Sequence, residues 1–254
     1  MFTYNDDSHS YWLDGKRVPN VTTIIRGGVP IPTLVDWSAR MTAEWVYDHQ
    51  AELPALMSGG RAPAVAFLSG IHNEVRDRAG VKGTQVHTLA EAIIHDQPTE
   101  VPQELAGYVA GYVRFLNEFQ PEPILTERPV ANRALRYAGR PDLIAELGGQ
   151  LWLLDNKTST YVYGDTALQC AAYARSEVYL NAEGEERPMP HIERIGVVHI
   201  GPMGTELYPL GDIDTAFTEF AAARATYEGT KRRRRLIGEP MRLEDIHDPW
   251  EVRA

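Results

Sequence analysis

Gly139-Arg140-Pro141-Asp142-Leu143-Ile144-Ala145-Glu146-Leu147-Gly148-Gly149-Gln150-Leu151-Trp152-Leu153-Leu154-Asp155-Asn156-Lys157 is the stretch whose reading decides the fold. Two apolar runs of strand length flank Gly148-Gly149, a dipeptide that accepts the positive φ angles of a tight two-residue hairpin turn. With that turn Leu147 faces Gln150, and stepping outward along the ladder brings Asp142 opposite Asp155. Opposed residues hold their Cβ atoms roughly 4.5–5.5 Å apart, and residues two apart on a strand share a face, so Lys157 joins the two aspartates. Carboxylates held side by side among Leu143, Ile144, Leu147, Leu151, Leu153 and Leu154 repel each other and work against folding unless something neutralises them. A divalent cation does so. Taken singly, Asp142 reads as a turn cap after Pro141, and Asp155 with Lys157 as an ordinary strand-end pair. One register that puts all three on one face favours a site.

Three further segments join the hairpin. Gly83-Thr84-Gln85-Val86-His87 lies upstream, and Gln169-Cys170-Ala171-Ala172-Tyr173 lies downstream, with Gln169 and Tyr173 one helical turn apart. His9 to Thr22 carries an H-x-Y, a glycine and a V-P-x-V-T run. Together with Pro141-Asp142 and Asp155-Asn156-Lys157, these segments resemble the PD-(D/E)XK nuclease superfamily. Within it they resemble the RecB-type exonuclease branch, in its stand-alone form without iron-sulfur cysteines. The resemblance covers about His9 to Tyr227. It implies a mixed α/β fold with a restriction-endonuclease-like αβββαβ core, a mixed central sheet flanked by helices, and N-terminal helical additions. It also implies metal-dependent hydrolysis of DNA phosphodiesters, as an exonuclease in recombination, repair or replication.

In that reading one or two Mg²⁺ or Mn²⁺ ions are held by His87, Asp142, Asp155 and the main-chain carbonyl of Asn156. Asp142, Asp155 and Lys157 carry catalysis, and Gln169 and Tyr173 position the site or the strand. Glu91, four residues after His87, reads as an ordinary surface acid. Glu127, a charge in a strand-like segment, reads equally as an edge residue or a neighbour of the site. DNA is the implied partner. No G-x-x-x-x-G-K-[ST] loop is present, so unwinding falls to a separate helicase or strand-annealing protein; self-association into a homo-oligomer stays open. The rival reading is a catalytically silent nucleic-acid-binding or assembly subunit that keeps the nuclease fold, which the filled metal and lysine positions disfavour.

Composition sets outer bounds. The chain has 254 residues, 43% hydrophobic and 24% charged, proportions of a folded globular protein rather than a disordered one. The sole cysteine, Cys170, excludes an intramolecular disulfide framework and a one-chain four-cysteine cluster for zinc or iron-sulfur. A reducing, cytoplasmic setting fits that usage. No apolar run approaches the roughly 18 residues needed to cross a bilayer, so no membrane role is expected. A net charge of −10 argues against nonspecific coating of nucleic acid, yet a local basic surface still guides a backbone on an acidic protein. A serine hydrolase is disfavoured by the lack of a G-x-S-x-G elbow; a zinc protein, by the lack of H-E-x-x-H or paired-cysteine spacing.

Three regions are expected: an N-terminal hairpin and helical lobe over 1–82, a nuclease core over 83–230, and a basic tail over 231–254. In the lobe, Tyr11 to Val18 reads as a hairpin about Asp14-Gly15, and Val21 to Ile25 as a β-branched, strand-like run. Leu34, Trp37, Met41 and Trp45 mark a helix within 33–50, where the two tryptophans read as core more readily than as base-stacking groups. Residues 51–70 suggest short helices and loops. In the core, helices are expected from a Thr84 cap to about His95, from Gln103 to Glu118, and from about Asp165 to Leu180. A single strand is expected over Ile124 to Asn132, followed by the hairpin as a three-stranded meander. Then come a loop over Asn181 to Pro190, strands over 192–200 and 205–208, and a last helix over 213–227 with Phe217, Phe220, Ala221 and Ala225 inward. Lys231-Arg232-Arg233-Arg234-Arg235 closes that helix, as a solvated helix end or as a nucleic-acid contact.

Overall fold

The computed structural model describes residues 1–240; positions 241–254 of the expected basic tail lie outside the described residues. The hairpin forms as read, with β7 (Leu143–Leu147) and β8 (Gln150–Lys157) joined by Gly148 and Gly149 at φ 59° and 77°. Leu147 pairs with Gln150 and Leu143 with Leu154, so the next outward step is Asp142 and Asp155. β4 (Glu122–Thr126) lies antiparallel to β7 and completes the meander. On the other side β11 (Arg194–Gly201) runs parallel to β8, and β12 (Gly204–Pro209) forms the far edge, giving a mixed five-stranded sheet ordered β12-β11-β8-β7-β4. The parallel pair requires a crossover, which α6 (Asp165–Ala174) provides.

Both faces of this sheet are covered, which is why β7 and β8 read as nearly continuous apolar runs. Leu143 and Leu154 pack under α5 (Ala106–Phe119) and the end of α4 (Arg61–Ile94), with Val86, Tyr112 and Phe115. Ile144 and Leu153 face α1 (Val21–Gly28), α6 and α7 (Ile213–Arg233), with Ile24, Tyr173 and Phe220. A second sheet, ordered β10-β9-β5-β6, is built from β5 (Val130–Asn132), β6 (Tyr137–Gly139), β9 (Val178–Leu180) and β10 (Glu186–Pro188). The N-terminal strands β1 (Phe2–Asn5), β2 (Ser10–Leu13) and β3 (Lys16–Val18) form a third sheet that packs on it through Phe2, Leu13, Ala131 and Ala138.

Five expectations are corrected. Val21 to Ile25 is helical: the Asn20 side chain accepts the Thr23 N–H at 2.7 Å, an N-cap, and the buried residues Val21, Ile24, Ile25 and Gly28 follow helical spacing. No helix begins at Thr84. After α3 (Leu53–Ser58), α4 runs unbroken from Arg61. Pro63 sits in its first turn, where a missing N–H loses no intrahelical bond, and the Thr84 hydroxyl donates back to the Gly80 carbonyl at 3.1 Å instead of capping. The expected strand over Ile124 to Asn132 is two strands in different sheets, β4 and β5, broken where Glu127 takes a left-handed φ of 49°. The helix carrying Gln169 stops at Ala174, and Val178–Leu180 is β9, paired with β5 and β10. Its turn into β10 is shaped by Asn181, whose side chain accepts the Glu183 and Glu185 N–H groups. Finally, α7 buries Ile213, Ala216, Phe220 and Ala223 and extends to Arg233; Ala225 is exposed and Ala221 only half-buried.

The helix α2 (Pro32–Asp48) forms as expected but has no buried residue. Trp45 stacks on His49 at 4.5 Å and meets Phe67 edge-on, while Trp37 meets His72. Both tryptophans serve packing within the helical lobe. No helix among the described residues is long and apolar enough to cross a membrane.

Candidate active site

The open end of the β7–β8 hairpin gathers two charged groups. Asp142 lies one step outside the ladder, and its Oδ2 turns across the hairpin end to accept the Asn156 N–H at 2.6 Å. The same oxygen is 3.4 Å from His87 Nδ1, on the last stretch of α4. Glu127 reaches this place because β4 ends in the left-handed turn and its N–H donates to the Asp142 carbonyl at 3.1 Å. His87, Glu127 and Asp142 each offer a ligand atom, all within 4.8 Å of one another. Glu91, Tyr112 and Asn156 line the same cavity. Arg140 holds Glu127 from outside, Nε to Oε2 at 2.7 Å.

Charge in this first group is unevenly satisfied. Burial works to lower the His87 pKa, but the adjoining Asp142 charge and hydrogen bond outweigh it and raise it to about 9. Burial works to raise Asp142, and His87, Lys157 and the Asn156 N–H more than offset it, holding the carboxyl below its ordinary range. Glu127 is pushed up to about 7, first by burial and then by the Asp142 charge, with Arg140 opposing. One imidazole and two carboxylates so arranged, with a buried Asn156 Oδ1 that has no hydrogen-bond partner among the described residues, suit a hard or borderline divalent cation.

The second group faces α6. Asp155 is buried, with Oδ2 2.5 Å from Lys157 Nζ but without hydrogen-bond alignment. Its Oδ1 accepts from Gln169 Nε2 at 2.7 Å, and Gln169 Oε1 lies 3.4 Å from Lys157 Nζ. Tyr173 stands behind, its hydroxyl 3.5 Å from Gln169 Nε2. A Cβ at Gly139 would overlap the Tyr173 ring, so the glycine before Arg140 lets α6 approach the sheet. Burial raises Asp155 to about 6, with Lys157 opposing and Asp142 adding to it. Burial disfavours the Lys157 ammonium, but Asp155 and Asp142 raise its pKa and keep it charged.

The predicted site residues therefore converge on one hairpin end in two sets. His87 and Asp142 lie in the first; Asp155, Lys157, Gln169 and Tyr173 lie in the second; Asn156 bridges them, its N–H on Asp142 and its side chain in the first cavity. Glu91 lines that cavity outside the three-residue group. Glu127 is the member that sequence reading leaves undecided, and its signal was an isolated charge at the end of an apolar strand.

Fold and site define a mixed α/β protein with a carboxylate-imidazole group beside a buried aspartate-lysine pair. No family model matches the chain. The chain is similar to a characterised protein, the mitochondrial genome maintenance exonuclease 1 of Mus musculus, at 29% identity over 178 residues. The match takes in 63% of this chain and 44% of the mouse protein, so the chain spans less than half the length of that relative.

Proposed function

We propose that this protein is a metal-dependent DNA nuclease of the PD-(D/E)XK superfamily, RecB-type branch, acting as an exonuclease. The observation that carries the reading is the His87–Glu127–Asp142 group set beside the buried Asp155–Lys157 pair at one hairpin end. The likeness to the mouse exonuclease supports it. His87, Glu127 and Asp142 would hold Mg²⁺ or Mn²⁺, with Asp155 next across the hairpin. A bound ion supplies Lewis-acid polarisation of the phosphoryl oxygen and a lowered water pKa. Lys157, kept as an ammonium by its two aspartate neighbours, stabilises negative charge developing on the phosphate; in that state it does not serve as the base. Gln169 fixes Asp155 and Lys157 relative to each other through its amide oxygen and nitrogen. The nuclease core is taken as the expected 83–230 together with the rest of α4, which runs unbroken across position 83, and α1, which packs on the central sheet; the remaining N-terminal lobe and the basic segment from 231 are additions.

End-labelled linear DNA and covalently closed circular DNA, each with Mn²⁺, with Mg²⁺ and with chelator, test the reading. Metal-dependent loss of linear DNA alone is the expected outcome. Equal cutting of the circle would make it an endonuclease, and no cleavage by the wild-type protein with either metal would remove the activity.

A further inference from the structure

The basic run at the end of α7 has no part in the site above, yet it borders a second hollow. This hollow, of about 290 Å³, lies between the β2–β3 hairpin, the start of α1 and the end of α7. No aspartate or glutamate is among the described residues that line it, in a chain with 35 acidic and 25 basic residues. Arg17 and Lys231 supply its charge. The Arg17 guanidinium donates to the Ser10 hydroxyl at 3.1 Å and forms no ion pair among the described residues. Lys231 pairs with Glu228 at 3.0 Å, but Glu228 also takes Arg224 at 2.6 Å, so that cluster keeps an excess positive charge. Arg232 and Arg233 continue the helix as exposed residues. Besides Glu228, Asp6 lies 4.0 Å from the lining residue His9.

We propose that this hollow binds the phosphodiester backbone of the DNA strand, away from the metal group; the proposal rests on the nuclease reading. Arg17, Lys231 and the Thr23 hydroxyl offer donors that phosphate oxygens take, while the Ser10 hydroxyl, which donates to the Ser8 carbonyl, holds the Arg17 guanidinium in place. Lys231 Nζ sits 4.1 Å over the Tyr227 ring, covering the aromatic face that a base would need, which favours backbone over base contact. The hollow and the site share no lining residue, but contacts of the N-terminal hairpin lead from one toward the other. Tyr11 lines the hollow and stacks on Tyr4 at 4.8 Å, and Arg140 reaches both Asp6 at 3.6 Å and Glu127 at 2.7 Å. A strand seated on Arg17 and Lys231 thus runs along this hairpin toward Glu127.

The test is binding of a labelled single-stranded oligonucleotide in chelator, titrated with salt, for wild type, Arg17→Gln/Lys231→Gln, and the charge-keeping Arg17→Lys/Lys231→Arg. The glutamine pair should flatten the slope of log K against log salt by roughly 0.7 for each lost contact, while the charge-keeping pair retains it. Wild-type binding should survive millimolar inorganic phosphate, because a strand makes several contacts at once. An unchanged slope in a folded glutamine pair, or complete displacement by inorganic phosphate, would overturn the proposal. A flattened slope in a protein that cleaves nothing with Mn²⁺ would keep this surface and remove the nuclease reading; an unchanged slope in a variant that still cleaves would do the reverse.

Discussion

The two charged groups at the hairpin end differ in what holds them. His87, Glu127 and Asp142 come from a helix end, a strand end and the step before β7, and their only internal cation is a histidine raised to about 9. Asp155 and Lys157 lie two apart on one strand, already paired and braced by Gln169. The first group sets two carboxylates, one of them paired on its outer side with Arg140, against an imidazolium that can lose its proton, so a divalent cation can take the place of that proton. The second is internally neutral and needs no ion to be stable. The site divides into a part that awaits charge and a part that keeps its own.

The largest expected effect is on cleavage. Lys157→Ala and Asp142→Ala should each lower divalent-dependent turnover by roughly 10²–10⁴-fold with a native-like circular dichroism spectrum. Retained turnover in either variant would make its group structural. Next is metal affinity. Glu127→Gln should weaken Mn²⁺ binding in calorimetry by more than the roughly 10–100-fold that loss of an outer-shell partner costs, while Glu91→Gln changes it little. Equal effects would erase the boundary drawn around the three residues.

The pH dependence of metal binding follows from the same group. His87, at about 9, and Glu127, at about 7, must be deprotonated to act as ligands. Mn²⁺ affinity should therefore rise with pH, by about tenfold per unit between 7 and 9 for one displaced proton, more steeply below 7, and level off above 9. Affinity independent of pH over that range would mean that neither group binds the ion.

The smallest effect is on apo stability, and it separates the two aspartates. Asp142 is lowered, so its ionisation contributes stability above the unfolded carboxyl range that is lost as pH falls through the folded value. Asp142→Asn should destabilise the protein in chelator at neutral pH by roughly 1–3 kcal/mol, the scale of a charged hydrogen bond. Asp155 is raised to about 6, so its contribution is present below the unfolded value and lost as pH rises through 6. Asp155→Asn leaves the Lys157 ammonium without its nearest partner, which is costly, but its deficit against wild type should shrink as pH rises through 6, whereas that of Asp142→Asn should grow as pH rises through the carboxyl range. Thermal melts in which the two deficits change with pH in the opposite senses would reverse the assignment of the two groups.

That asymmetry marks the limit of what the sequence discloses. Period-two burial and a Gly-Gly turn determined the β7–β8 register, because a slip of one residue would turn every side chain over. The repulsion expected between Asp142 and Asp155 falls on Asp155, which the Asp142 charge helps to raise, while Asp142 sits outside the ladder and is held low by His87 and the Asn156 N–H. Glu127 became a candidate ligand through a left-handed residue and a sheet change at β4, tertiary events without a periodic signal. Val21 to Ile25 misled by β-branching, although Asn20 two residues before Thr22 was a legible cap. The unbroken α4 was hidden by Pro63 and three glycines, which helix packing overrode.

Anomalous scattering from a crystal grown with Mn²⁺ tests the central claim most directly. A peak within coordination distance of His87, Glu127 and Asp142 together is the predicted result; a peak that excludes all three, or none at saturating Mn²⁺, would contradict it.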